Sequence, residues 1–232
     1  MGNALDTLDA QALAERIRSC DLCELHAHRT QALPGAGPDG ADVALVLDAP
    51  GYFEDRSGQL LQGPAGLLVD RVLGACGLTR EAVLVTSVAR CRPPQSRTLR
   101  TSEIRQCEGY LFRELVLASP QVVVAMGTTP IQLLAGRGLR LPDAHGTAVP
   151  ATIAGLGVQV LAAMDPRAAA HVAELDDRFT LLGQRLRELL HGTAPAPAAS
   201  APAQPAGPGA AGGTSRQLRL GGTGDLQGGG PG

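Results

Sequence analysis

With 232 residues, the chain is long enough to bury one substantial core and still leave sequence over. Its composition, 44% hydrophobic and 18% charged, is globular, and a net charge of −2 excludes a general polycation, so any nucleic-acid contact must be a local patch. All 20 basic residues are Arg, whose planar fork binds oxyanions bidentately.

The opening MGNALDTLDAQALAERIRSC is patterned as an amphipathic helix and lacks the continuous apolar stretch of a secretory signal. No stretch approaches the about 18 apolar residues of a membrane span. The expectation is therefore a cytoplasmic protein with no membrane contact, in a compartment where disulfides are rare. A monomer is expected.

Four β-branched runs follow: DVALVLD (42–48), AVLVTS (82–87), QVVVAM (121–126) and VQVLAA (158–163). They are continuously apolar, as strands buried on both faces of a parallel sheet are. Between them stand three helical patterns, GPAGLLVDRVLGACG, TSEIRQCEGYLFRELVLA and TTPIQLLAG. The second opens on Thr101 or Ser102, with Glu103 close behind as a capping partner. After the fourth run, DPRAAAHVAELDDRFTLLGQRLRELLHG reads as one long helix ending at Gly192. The alternation predicts an α/β fold, a three-layer α/β/α sandwich over residues 1–192 on a four-stranded, mainly parallel sheet. Ligands are expected at the carboxyl ends of its strands. From Thr193 the composition turns to Pro, Ala, Gly and Ser, which predicts a disordered tail over 193–232.

Five cysteines are present. Cys76, in LGACGL on an apolar helix, reads as a small core residue. Cys20 and Cys23 form a Cys-x-x-Cys pair, and Cys91 and Cys107 stand singly downstream. Four thiolates of this kind suit zinc or an iron–sulfur cluster, against the alternative of unrelated buried thiols.

These residues carry a resemblance. Cys20, Cys23, Leu25 and Arg29 match Cys-x-x-Cys-x-Leu-x-x-x-Arg, LDAPGYFED places Ala49, Pro50, Gly51, Glu54 and Asp55, GQLLQGPAG spans 58–66, and TSVARCRPPQSR ends at Arg97. Collinear over roughly residues 15–190, the chain resembles the family-4 uracil-DNA glycosylases. The resemblance implies a structural [4Fe–4S] cluster on Cys20, Cys23, Cys91 and Cys107, and excision of a damaged or deaminated base from DNA. It also implies water positioning by Asp48, base binding by Ala49, Pro50, Gly51, Leu61 and Ser87, and DNA contact by Arg92 and Arg97.

Four pocket positions depart from the family pattern. Asp48 stands for a Glu and keeps the carboxylate; Leu61 stands for the Phe that stacks on the base, losing a flat π-face. Ser87 stands for the Asn that reads the pyrimidine edge, and a hydroxyl cannot present an amide's paired donor and acceptor. Asp165, in AAMDPRAA, stands for the His that stabilises the departing base, and reverses the sign of the charge. Asp165 followed by Pro166 is also an ordinary helix N-cap pair. The expectation is a glycosylase of weakened or altered specificity. The alternative is a catalytically inactive DNA-binding or sliding-clamp-binding module. For the clamp, Gln217, Leu218 and Leu220 in the tail resemble a clamp-binding peptide whose terminal Phe is replaced by Gly221.

Overall fold

A computed structural model of the protein describes residues 5–170, 172 and 175–192. Among the described residues the β-strands are β1 (Val43–Leu47), β2 (Leu84–Ser87), β3 (Val122–Met126), β4 (Ala148–Ile153) and β5 (Leu156–Ala163). They form one sheet in the order β2-β1-β3-β5-β4. The first four in that order are parallel, and β4 runs antiparallel on the β5 edge.

The helices are α1 (Ala10–Arg18), α2 (Tyr52–Ser57), α3 (Gly63–Gly74), α4 (Thr101–Ala118), α5 (Thr128–Leu134), α6 (Pro166–Ala169) and α7 (Asp176–His191). Alternate strand residues divide between two cores, as the two-residue period of a strand requires. Val43, Leu45, Leu47, Val122 and Val124 pack with Val69 and Val72 of α3 and Phe179, Leu182 and Leu186 of α7. Ala44, Val46, Val123 and Ala125 face the other way, onto Leu111 and Leu115 of α4 and Ile131 of α5. Both faces are covered, so the three-layer sandwich stands.

The sheet has five strands, where the sequence predicts four. The missed strand, β4, contains Pro150, which lacks an N–H and is tolerated here because β4 is an edge. Its hairpin to β5 turns through Ala154 (φ 49°) and Gly155 (φ 87°), a two-residue turn with both φ positive in which Ala replaces the usual Asn. The single long helix predicted after β5 is instead two, α6 and α7. The helix predicted from 101 to 118 is observed over those residues, with its N-cap one residue earlier, at Arg100. No described helix is long and apolar enough to cross a membrane. The predicted tail, 193–232, with Gln217, Leu218 and Leu220, lies outside the described residues.

Candidate active site and thiol centre

β1 ends at Leu47, and the chain then turns through Asp48, Ala49, Pro50 and Gly51 into α2. The half-buried Asp48 carboxylate accepts the Thr129 N–H at 3.0 Å, from the first turn of α5. Burial raises the Asp48 pKa, against the Thr129 hydrogen bonds; Asp165 nearby raises it further and Arg167 lowers it. Gly127 closes the other side: its φ is 117°, and a Cβ there would stand 2.8 Å from Asp48 Oδ2. Gly127→Ala is therefore expected to combine backbone strain with a displaced carboxylate, lowering turnover by about 100-fold, the scale for a misplacement of 1 Å. Single-turnover kinetics would read this out.

Two acidic residues brace the neighbourhood. Glu54 is buried and accepts the Gly51 N–H at 3.0 Å, holding the Ala-Pro-Gly turn to the start of α2. Asp55, also buried, accepts the Thr30 N–H at 2.9 Å and so ties α2 to the segment following the cysteine pair.

A cleft of about 840 Å³ opens over the carboxyl ends of β1, β3 and β5. Asp48, Ala49, Pro50, Gly51, Arg97 and Asp165 line it together. Leu61 and Ser87 do not. Leu61, fully buried at φ 57°, packs in the core against α3, and the Ser87 hydroxyl donates to Ala89 O at 2.8 Å. Gln62 and Gln132 also line the cleft, the Gln62 amide donating to Gln59 Oε1 at 3.3 Å.

Asp165 caps α6, accepting the Arg167 N–H at 2.8 Å. The Arg167 guanidinium returns over the same carboxylate, with Nη2 2.7 Å from Oδ2, while Nη1 donates to Ala49 O at 2.8 Å. The negative charge at Asp165 is thus neutralised within two residues, and the cation lies against the turn that carries Asp48. Sequence reasoning missed Arg167. Its signal was the Asp-Pro-Arg spacing, which puts a bidentate donor beside a capping carboxylate.

The predicted DNA contacts fare unequally. Arg97 pairs with buried Glu103 at 2.5 and 3.0 Å, and that guanidinium holds the Glu103 carboxyl below the usual range. Arg100 reaches Glu24 at 2.8 Å. Arg90 is buried on Glu114, Nη2 to Oε2 2.9 Å. Three arginines of the densest basic stretch are therefore paired with carboxylates, Arg90 in the interior and Arg97 and Arg100 nearer the surface. Arg92 differs: its guanidinium lies over the Tyr52 ring, 5.0 Å from the centroid.

Cys20, Cys23, Cys91 and Cys107 line one small cavity between the end of α1, the segment following β2 and the first half of α4. Arg29 Nη1 donates to Cys91 Sγ at 3.1 Å, and the Arg90 N–H donates to Cys107 Sγ at 3.3 Å. Burial pushes the Cys23 and Cys91 thiols up, and Cys107 to about 12. Thiolates there require a compensating positive charge, which a bound metal centre supplies. Among the described residues, no three His, Cys, Asp or Glu side chains are placed to hold a single metal ion. Four thiols around one cavity are the donor type that an iron–sulfur cluster takes.

Comparison with known proteins agrees with this architecture. The family model described as the uracil DNA glycosylase superfamily matches residues 34–202. The chain belongs to the uracil-DNA glycosylase superfamily. Within it, the similarity is to proteins named type-4 uracil-DNA glycosylase. One, from Pyrobaculum aerophilum, is 34% identical over 176 residues, covering 74% of this chain and 90% of the relative. Another, from Archaeoglobus fulgidus, is 38% identical over 122 residues, covering 53% of this chain and 61% of the relative. A third, from Thermotoga maritima, is 31% identical over 140 residues, covering 60% and 73%. Of the departures from the type-4 pattern, Asp48 and Asp165 line the cleft, Asp165 paired with Arg167, while Leu61 and Ser87 are buried outside it.

Proposed function

We propose that this protein excises a damaged or deaminated base, with uracil the first candidate, by hydrolysing the N-glycosidic bond in DNA. The observation that carries the proposal is the buried-side Asp48 carboxylate at the mouth of β1, held by the Thr129 N–H beside a charge-neutralised Asp165. Ionised Asp48 positions a water against C1′ and takes its proton as the C1′–N bond breaks. The bond's electron pair leaves with the base, through a cationic sugar transition state. Arg167 keeps the departing base from facing a bare carboxylate at Asp165. Gln132, which lines the cleft, carries the paired donor and acceptor that Ser87 lacks.

Cys20, Cys23, Cys91 and Cys107 would hold a [4Fe–4S] cluster, whose chemistry here is structural, since hydrolysis moves no electron. It would tie the end of α1 to α4 and to the segment carrying Arg92. The inactive-module alternative is disfavoured by the type-4 relatives and by the retained Asp48. Clamp binding through Gln217, Leu218 and Leu220 would add recruitment to this activity.

The test is an alkali-cleavage assay on cluster-intact protein. It would use single- and double-stranded oligonucleotides bearing uracil, hypoxanthine, xanthine or oxidised pyrimidines. Strand breaks at one lesion, uracil first, are expected; silence on every substrate with DNA still bound would defeat the proposal in favour of the inactive module.

Arg167 gives a second, sign-specific check. It lowers the Asp48 pKa and Asp165 raises it, so Arg167→Ala should move the acid limb of the rate profile to higher pH. Arg167→Lys should return the limb part of the way. A lower plateau with an unmoved limb would reduce Arg167 to a structural prop.

A further inference from the structure

The chain is poor in aromatic side chains, with two Tyr, three Phe and no Trp. Tyr110 and Phe179 are buried and Phe112 is partly buried. The remaining two, Tyr52 and Phe53, are adjacent in the first turn of α2 and exposed, Phe53 at 70%. They follow directly on the Ala49-Pro50-Gly51 turn, and both line the cleft. Their rings meet edge to face, with centroids 5.5 Å apart. A second, shallower depression continues outward from the cleft over Tyr52, Phe53, Gln62 and Pro64. Leu67, 66% exposed, stands beyond Pro64 along the next depression.

An exposed Phe in water needs a reason when it sits in a contiguous apolar strip. The charge beside it suggests the occupant. Arg92 and Arg56 lie over the Tyr52 ring, at 5.0 and 5.6 Å from its centroid. Neither takes part in any of the described ion pairs, whereas Arg90, Arg97 and Arg100 do. Arg56 also donates to the Tyr52 hydroxyl at 3.4 Å. Aromatic faces interleaved with guanidinium groups outside carboxylate pairs bind single-stranded nucleic acid, the rings stacking on bases and the cations meeting phosphates. An exposed aromatic face thus stands on the wall of the cleft.

We propose that Phe53, backed edge to face by Tyr52, forms a stacking platform for an unpaired base of the DNA strand next to the nucleotide in the cleft, with Arg56 and Arg92 on the flanking phosphates. This rests on the glycosylase function proposed above and adds a strand-binding subsite to it. The platform favours single-stranded or locally opened DNA, because a base paired in duplex has no free face to offer.

The absence of Trp makes the test direct. Phe53→Trp introduces a sole tryptophan, and a stacked base quenches its fluorescence. The probes are a short undamaged single-stranded oligonucleotide and a baseless sugar–phosphate oligomer of the same length. Quenching by the first and not the second is expected. In the cluster-intact full chain, Phe53→Ala should weaken binding of the base-bearing strand by about 5- to 150-fold, the ratio equivalent to about 1–3 kcal/mol. Binding of the baseless oligomer should be unchanged. Phe53→Leu, which keeps the apolar area, should behave like Ala.

Equal quenching by both probes, or unchanged affinity in Phe53→Ala, would overturn the platform. So would a change in oligomeric state alone, which would make the strip a contact between copies. Those results leave the glycosylase proposal standing if wild-type protein still excises its base. Wild-type protein that binds no DNA defeats both.

Discussion

Glu114→Ala is expected to destabilise the protein by about 3–5 kcal/mol, because it strands a charge the fold has buried. Arg90 is 1% exposed, and its guanidinium meets Glu114 at 2.9 Å on a side chain that is 8% exposed. The same carboxylate accepts the Gly35 N–H at 2.7 Å and the Thr86 hydroxyl at 2.5 Å. Removing it leaves a cation and two donors without their acceptor. For a domain of this size, that loss lowers Tm by roughly 6–20 °C. Thermal denaturation of the cluster-intact protein would measure it. Glu114→Gln, which keeps an acceptor but not the charge, should fall between. A paired replacement, Arg90→Met with Glu114→Leu, should recover much of the loss, since an apolar pair of similar volume avoids burying charge at all. The damage in Glu114→Ala should extend to the thiol centre, because the Arg90 N–H is the group that donates to Cys107 Sγ.

Asp48→Asn is expected to move activity and stability in opposite directions. The carboxylate is the group assigned to position and deprotonate water, and losing one such group typically costs a factor of about 100 to 10,000. Burial first, and Asp165 second, raise the Asp48 pKa in the folded protein. A carboxyl with a raised folded pKa favours the fold fully below its unfolded pKa, and loses that contribution as pH rises through the folded value. Near neutral pH, ionised Asp48 therefore costs stability. Asn removes the charge while its side-chain oxygen still accepts the Thr129 N–H. Tm should rise by roughly 2–4 °C at neutral pH, the scale on which about 1 kcal/mol moves a domain of this size. The difference should shrink at acid pH, where Asp48 is itself protonated. A catalytic carboxylate kept at the expense of stability is the usual trade at an active site.

The fold was legible where a local pattern and tertiary burial agree. The runs at 42–48, 82–87 and 121–126 each hold a continuous apolar stretch with no polar alternation, because β1, β2 and β3 are buried on both faces. β4 was illegible for the opposite reason. It is partly exposed, carries Pro150 and turns on Ala-Gly, so neither period nor turn chemistry marks it. Within the site, the order of motifs along the chain singled out the thiol quartet and the Asp48 turn as candidates, and the structure brings the residues of each set to one place.

What sequence could not yield was which charges are free. Arg90, Arg92 and Arg97 are equivalent in a string of letters. Only the folded positions of Glu114 and Glu103 commit two of them and leave Arg92 on Tyr52. Asp165 likewise reads as a reversed charge until Arg167 folds back over it. Leu61 and Ser87 read as a base pocket that has lost its stacking face and its amide, yet both side chains are fully buried and neither lines the cleft.

The most direct measurement is single-turnover release of free uracil from a single-stranded oligonucleotide, by cluster-intact wild-type protein and by Asp48→Asn side by side at neutral pH. The account predicts release by the wild type and a rate about 100- to 10,000-fold lower in the variant, with Tm equal or higher. Equal rates in the two proteins would contradict the assignment of Asp48, and no release by either would contradict uracil excision itself.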